Sequence, residues 1–148
     1  MFDKILVVCV GNICRSPTGE ALLKQLMPDK LISSAGLAVE KSGLSGHSAD
    51  SMALSVAKKH DLLFSEHKAR QLTPSLCLES DLILVMEKQH LEWLTQLSPE
   101  SRGKAMLFSQ WLDQSDIADP YHKSEVFFEE TFKALSLSAE AWARKLSS

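Results

Sequence analysis

The 148-residue chain, 45% hydrophobic and 24% charged, has the size and apolar content of one compact domain with a core of its own. Its 19 acidic and 16 basic residues give a formal charge of −3 and form no long runs, which argues against a nucleic-acid footprint or a polybasic membrane patch and makes any anion site a local one. The first apolar run, Ile5 to Val10, is far shorter than the roughly 20 residues that span a bilayer, so a soluble, cytoplasmic protein without stable membrane association is expected.

Lys4-Ile5-Leu6-Val7-Val8 is a continuous branched run that suits a strand buried on both faces of a parallel sheet. A helix should follow, with Ser16 as N-cap, Pro17 at its first position and an apolar face of Ala21, Leu22, Leu23, Leu26 and Met27, ending before Pro28; Gly19 weakens its first turn. Leu31 to Ala35 reads as a second strand, and Gly36 to Gly46, with three glycines, as an exposed loop. A helix over 49–60 comes next, then a short one opened by Thr73-Pro74, a buried strand over 82–86, a helix over 88–97 and a fourth strand over 105–108. Leu112 to Lys123, carrying Asp113, Asp116, Asp119 and Pro120, is a polar loop.

In the closing segment Phe128, Phe132, Leu135, Ala139, Trp142 and Leu146 fall on one helical face, which either covers the sheet or docks a partner; covering the sheet is the commoner role. Strands alternating with helices predict a doubly wound α/β fold with a four-stranded parallel sheet flanked by helices. Ligands in such sheets bind beyond the carboxyl ends of the strands, which is where Cys9 falls.

The three cysteines, Cys9, Cys14 and Cys77, are an odd number in a chain large enough to do without staples, so reduced thiols are expected. His47, His60, His67, His90 and His122 form no pair at ligand spacing, and neither a metal nor a cofactor is expected. Cys9-Val10-Gly11-Asn12-Ile13-Cys14-Arg15-Ser16 is different in kind. A strand that enters a tight loop and then a helix N-terminus aims several backbone N–H groups and the positive end of the helix dipole at one point, where an anion binds. Gly11 eases the turn, Asn12 tolerates left-handed backbone, and Arg15 adds a planar fork for two phosphate oxygens. The same field favours a thiolate at Cys9, the form that attacks phosphorus. The loop lacks the Lys-Ser/Thr ending of a nucleotide-binding loop. A thiol ending a buried strand can also be a small apolar filler, but the strand, loop and helix signals occur together here.

Residues 9–17, with Asp119-Pro120-Tyr121 in the late loop and Ser34-Ala35-Gly36 and His67-Lys68-Ala69-Arg70-Gln71 between, resemble the low-molecular-weight protein tyrosine phosphatases nearly end to end. The resemblance implies hydrolysis of protein phosphotyrosine through a cysteinyl-phosphate intermediate, with Cys9 as nucleophile, Arg15 and the loop from Val10 to Ser16 gripping phosphate, and Asp119 as general acid. It also implies that Ser16 assists thiolate departure, that Asn12, Ser34 and His67 support the loop, that Tyr121 flanks the substrate ring, and that the loop carrying the apolar Leu37 and Val39 borders the site entrance. An aliphatic Leu37, where animal members often carry an aromatic residue, resembles the Gram-negative subgroup encoded with exopolysaccharide genes, whose partners are bacterial tyrosine autokinases controlling polysaccharide export. Cys14 resembles a family cysteine that can pair reversibly with the nucleophile, and filling the loop interior accounts for it equally well. Thioredoxin-coupled arsenate reductase shares the Cys-x5-Arg loop but needs a downstream cysteine pair, and this chain has only Cys77 there. A non-catalytic phosphotyrosine-binding module would not need Cys9 and Asp119.

Overall fold

Four strands, β1 (Lys4–Cys9), β2 (Leu31–Gly36), β3 (Leu82–Val85) and β4 (Ala105–Leu107), pair in parallel in the order β2-β1-β3-β4. They are seen in a computed structural model that describes residues 2–147. The branched runs are buried on both faces because helices cover both. Ile5, Val7, Cys9, Leu82 and Leu84 join one apolar cluster, while Leu6, Val8, Ile83 and Val85 join another with Cys77 and Leu94. The chain moves outward from β1 to β2 and then returns to the other side of β1 to build β3 and β4. That reversal opens a crevice at the carboxyl end of β1.

Helices α1 (Arg15–Leu26), α2 (Ser51–Lys59) and α5 (Glu125–Leu146) lie over the first cluster, and α3 (Pro74–Glu79) and α4 (Lys88–Leu97) over the second. Local chemistry fixes several ends. Asp50 accepts from the N–H groups of Met52 and Ala53 to start α2, and Thr73 accepts from Leu76 with Pro74 as the first residue of α3. The stripe on α5 covers the sheet: Phe128, Phe132, Leu135, Ala139 and Trp142 are buried, and Trp142 Nε1 donates to the Phe108 carbonyl at 2.9 Å. Gly19 serves packing, since a Cβ there would sit 3.2 Å from Phe108 and Val7, so α1 lies close against the sheet. Among the described residues, no helix is long and apolar enough to cross a membrane.

One helix boundary differs from expectation. Ser16 is not the N-cap of α1; that position belongs to Cys14, whose side chain makes no capping bond. The first turn needs no serine cap because its N–H groups serve another acceptor: the Ser16 amide points at the Cys9 sulfur.

Candidate active site

β1, an inner strand, carries Cys9 at its carboxyl end, and the chain then wraps around its sulfur before α1 begins. Cys9 Sγ accepts from the backbone N–H groups of Asn12 (3.3 Å) and Ser16 (3.4 Å) and lies 2.9 Å from Ser16 Oγ. This wrap requires left-handed backbone at Asn12, where φ is 56°. The N–H groups of Gly11, Ile13 and Cys14 have no acceptor among the described residues, so the loop keeps donors for an anion.

The hydroxyl hydrogens around the sulfur can be placed by counting. Asn12 Nδ2 donates to Ser16 Oγ (2.7 Å) and Ser34 Oγ (3.0 Å), while its Oδ1 accepts from the Arg70 N–H (3.0 Å). Each serine has one hydroxyl hydrogen. That of Ser34 goes to Glu20 Oε1 at 2.5 Å, and that of Ser16 is left for Cys9 Sγ. Lys24 holds Glu20 through its other oxygen at 2.6 Å, and His67 Nε2 donates to the Asn12 carbonyl at 2.7 Å. The Asn12 amide fills one lone pair of Ser16 Oγ and leaves its hydrogen free for the sulfur, which as a thiolate can only accept.

Arg15 is almost completely buried. Its Nη1 donates to Glu87 Oε2 (2.6 Å) and to the Ile117 carbonyl (2.7 Å), which occupies both hydrogens on that nitrogen. Nε and Nη2 form the remaining edge of the fork, and Asp119 Oδ2 lies 3.7 Å from Nη2. Ile117 is itself held by its N–H on the Met86 carbonyl, so one anchor orients the arginine and fixes the loop carrying Asp119. The three loop aspartates separate by role. Asp113 accepts from Ser115, Asp116 from the Lys88 N–H at the start of α4, and only Asp119 lines the cavity over Cys9.

That cavity, about 210 Å³, is lined by Cys9, Val10, Gly11, Ile13, Cys14 and Arg15 below and by Ser42, Leu44, Asp119 and Tyr121 at the rim. Burial pushes the Cys14 thiol above its ordinary range, with Asp50, Asp119 and Cys9 acting in the same direction against Arg15, so Cys14 is a neutral thiol at neutral pH. Cys77 sits in the cluster on the opposite side of the sheet from Cys9. Among the described residues, no group of three or more His, Cys, Asp and Glu is placed to hold a metal.

Leu37 does not border the cavity. Its N–H bonds to the Cys9 carbonyl, which turns the chain inward, and its side chain is buried with Leu6 and Val8. Leu44, further along the same loop, reaches the rim instead. Sequence reasoning missed Glu87 and Glu20, and it named Arg70 and Gly36 only within longer segments without giving either a role. Glu87 follows β3 closely, and a carboxylate at the carboxyl end of the strand beside β1 was the available signal. Gly36 is required because a Cβ there would lie 2.5 Å from Val39 and 2.6 Å from the Val10 carbonyl.

A parallel sheet whose first strand ends in a Cys-x5-Arg loop lined with free backbone donors is an anion-binding frame, and comparison with known proteins gives its class. The family model for low molecular weight phosphotyrosine protein phosphatase matches residues 4–148, and the chain belongs to that family. Within it, the chain is 51% identical over 147 residues to the low molecular weight protein-tyrosine-phosphatase Wzb of Salmonella typhimurium, covering 99% of this chain and 96% of that one. Among solved structures, Vibrio vulnificus Wzb in complex with benzylphosphonate matches with a TM-score of 0.97 and 55% identity over 99% of this chain and 100% of the other. Escherichia coli K30 Wzb in complex with sulphate matches with a TM-score of 0.93 and 47% identity over 99% of each. The chain is a protein-tyrosine phosphatase of the Wzb type.

Proposed function

We propose that the chain acts as a single cytoplasmic phosphatase domain that hydrolyses protein phosphotyrosine through a cysteinyl phosphate. The observation that carries this reading is the convergence of three donors on Cys9 Sγ beneath a cavity shared with Arg15 and Asp119. In the first step the thiolate of Cys9 attacks phosphorus, the bond to the phenolic oxygen breaks, and Asp119 gives that oxygen its proton. In the second step Asp119 takes a proton from water, the water oxygen bonds to phosphorus, and the P–S bond breaks to return the thiolate. The Ser16 hydroxyl stabilises the departing sulfur, and Arg15 with the loop amides holds the equatorial oxygens throughout.

Leu44 and Tyr121 at the rim give an aryl ring apolar flanks, which suits tyrosine better than the shorter phosphoserine. Wzb of Vibrio vulnificus binds benzylphosphonate, an aryl compound of comparable reach. The substrate we favour is a bacterial tyrosine autokinase that controls exopolysaccharide or capsule export, supported by similarity to the Wzb group. The test is hydrolysis of p-nitrophenyl phosphate by wild type, Cys9→Ser and Asp119→Ala. Cys9→Ser should abolish turnover, and Asp119→Ala should lower kcat by roughly 10²- to 10⁴-fold. Equal rates in all three would sink the mechanism, and a tyrosine-phosphorylated autokinase cleaved no faster than a phosphoserine peptide would sink the substrate.

A further inference from the structure

Glu87 is the acceptor that turns the Arg15 fork, and it stands at the N-cap position of α4. Three residues later His90 is fully buried, and neither of its ring nitrogens has a hydrogen-bond partner. Leaving a buried imidazole unpartnered destabilises a fold, so its retention needs an explanation. The acceptor beside it is the one Arg15 already uses: His90 Nε2 lies 3.6 Å from Glu87 Oε2, just beyond hydrogen-bond reach.

We propose that His90 is a positioning residue for phosphate capture, its Nε2–H closing onto Glu87 Oε2 when phosphate occupies the loop and thereby holding Arg15 with Nε and Nη2 toward the phosphate. The proposal rests on the reading of Arg15 as the phosphate grip. A phosphate dianion on Nε and Nη2 pulls the guanidinium toward the cavity while Nη1 stays on Glu87 Oε2, so the fork keeps its direction only if that partly buried carboxylate is held in place. Glu87 then needs a second donor on the same oxygen, and His90 is the unspent one; Gln89 reaches only Oε1, at 3.3 Å. The charged groups facing His90 are Arg15, Glu87, Asp116 and Asp119. Burial and Arg15 hold its pKa below the ordinary imidazole value against the three carboxylates. The ring is therefore neutral and donates without adding a positive charge that would repel Arg15.

The experiment measures the inhibition constant of inorganic phosphate, kcat and KM for p-nitrophenyl phosphate, and Tm, in wild type, His90→Leu, His90→Gln and Arg15→Lys. His90→Leu should raise the phosphate constant and KM about tenfold while kcat moves less than about twofold, and Tm should hold or rise because an unpartnered polar group is gone. His90→Gln, which keeps a donor at similar reach, should recover most of the lost affinity. Phosphate affinity unchanged in His90→Leu, or lost equally in both His90 variants, overturns the proposal. Should His90→Leu fold poorly, wild type decides: the His90 Nε2–H proton resonance must sharpen and shift on saturation with phosphate, and an unmoved resonance overturns the idea. Arg15→Lys tells the two possible failures apart. Unchanged phosphate affinity there refutes the Arg15 reading itself, whereas a loss there with none in His90→Leu refutes only the role of His90.

Discussion

Asn12→Asp tests the hydrogen count around the nucleophile, because it changes one nitrogen to oxygen and almost no volume. The new oxygen can only accept, where Nδ2 donated to Ser16 Oγ at 2.7 Å. The single Ser16 hydrogen then turns toward the introduced carboxylate and leaves Cys9 Sγ with its two backbone donors. A hydrogen bond to a charged group contributes about 1.5–3 kcal/mol, which corresponds to a roughly 10- to 150-fold fall in kcat. Ser16→Ala removes the same donor without adding charge and should fall in the same range. The decisive assay is the double-mutant cycle, with kcat for p-nitrophenyl phosphate measured on all four proteins. Once Ser16 is replaced by alanine there is no hydroxyl to turn, so Asn12→Asp should cost at least about 1 kcal/mol less in that background. Fully multiplicative losses, or a single Asn12→Asp variant with wild-type kcat, would refute the proton order.

Two further predictions concern stability. Gly36→Ala should destabilise the protein by about 1–3 kcal/mol through overpacking against Val39 and the Val10 carbonyl; a denaturant midpoint equal to wild type would contradict that close approach. Burial raises the Cys14 pKa above that of an unfolded thiol, so above about pH 8.5 the unfolded chain sheds a proton that the folded one keeps. Stability contributed in this way is complete below that pH and falls as pH rises, by up to about 1.4 kcal/mol per pH unit. Under reducing conditions Cys14→Ala should show a shallower alkaline slope than wild type, and parallel slopes would refute the assignment.

Features whose causes lie within a few residues were legible in the sequence. Thr73-Pro74 opens a helix because its cap and its proline act within one turn, and the runs at Ile5 and Leu82 mark strands because burial on both faces leaves no polar position. Cys9, Arg15 and Asp119 were legible as candidates and share one cavity. Features set by distant partners were not. Ser16 looks like a cap when only its neighbours are considered, yet its hydroxyl and amide belong to a sulfur seven positions earlier. Leu37 looks like an exposed loop residue, but the Cys9 carbonyl takes its N–H and folds it under. Glu87 is paired with Arg15 across 72 positions, a separation that no local pattern encodes.

The segment that carries His67 and Arg70 has a second consequence, for solubility. β2 is an outer strand of the sheet, and its free edge near the site is closed by that segment: the Gly36 N–H bonds to the Arg70 carbonyl, the Leu72 N–H to the Gly36 carbonyl, and Arg70 Nε to the Ser34 carbonyl. An outer strand left open is a template for pairing with another chain. Substitutions that lift this segment would therefore impair catalysis and invite self-association together, so falling soluble yield in a variant series at 67–72 would track disorder at the nucleophile.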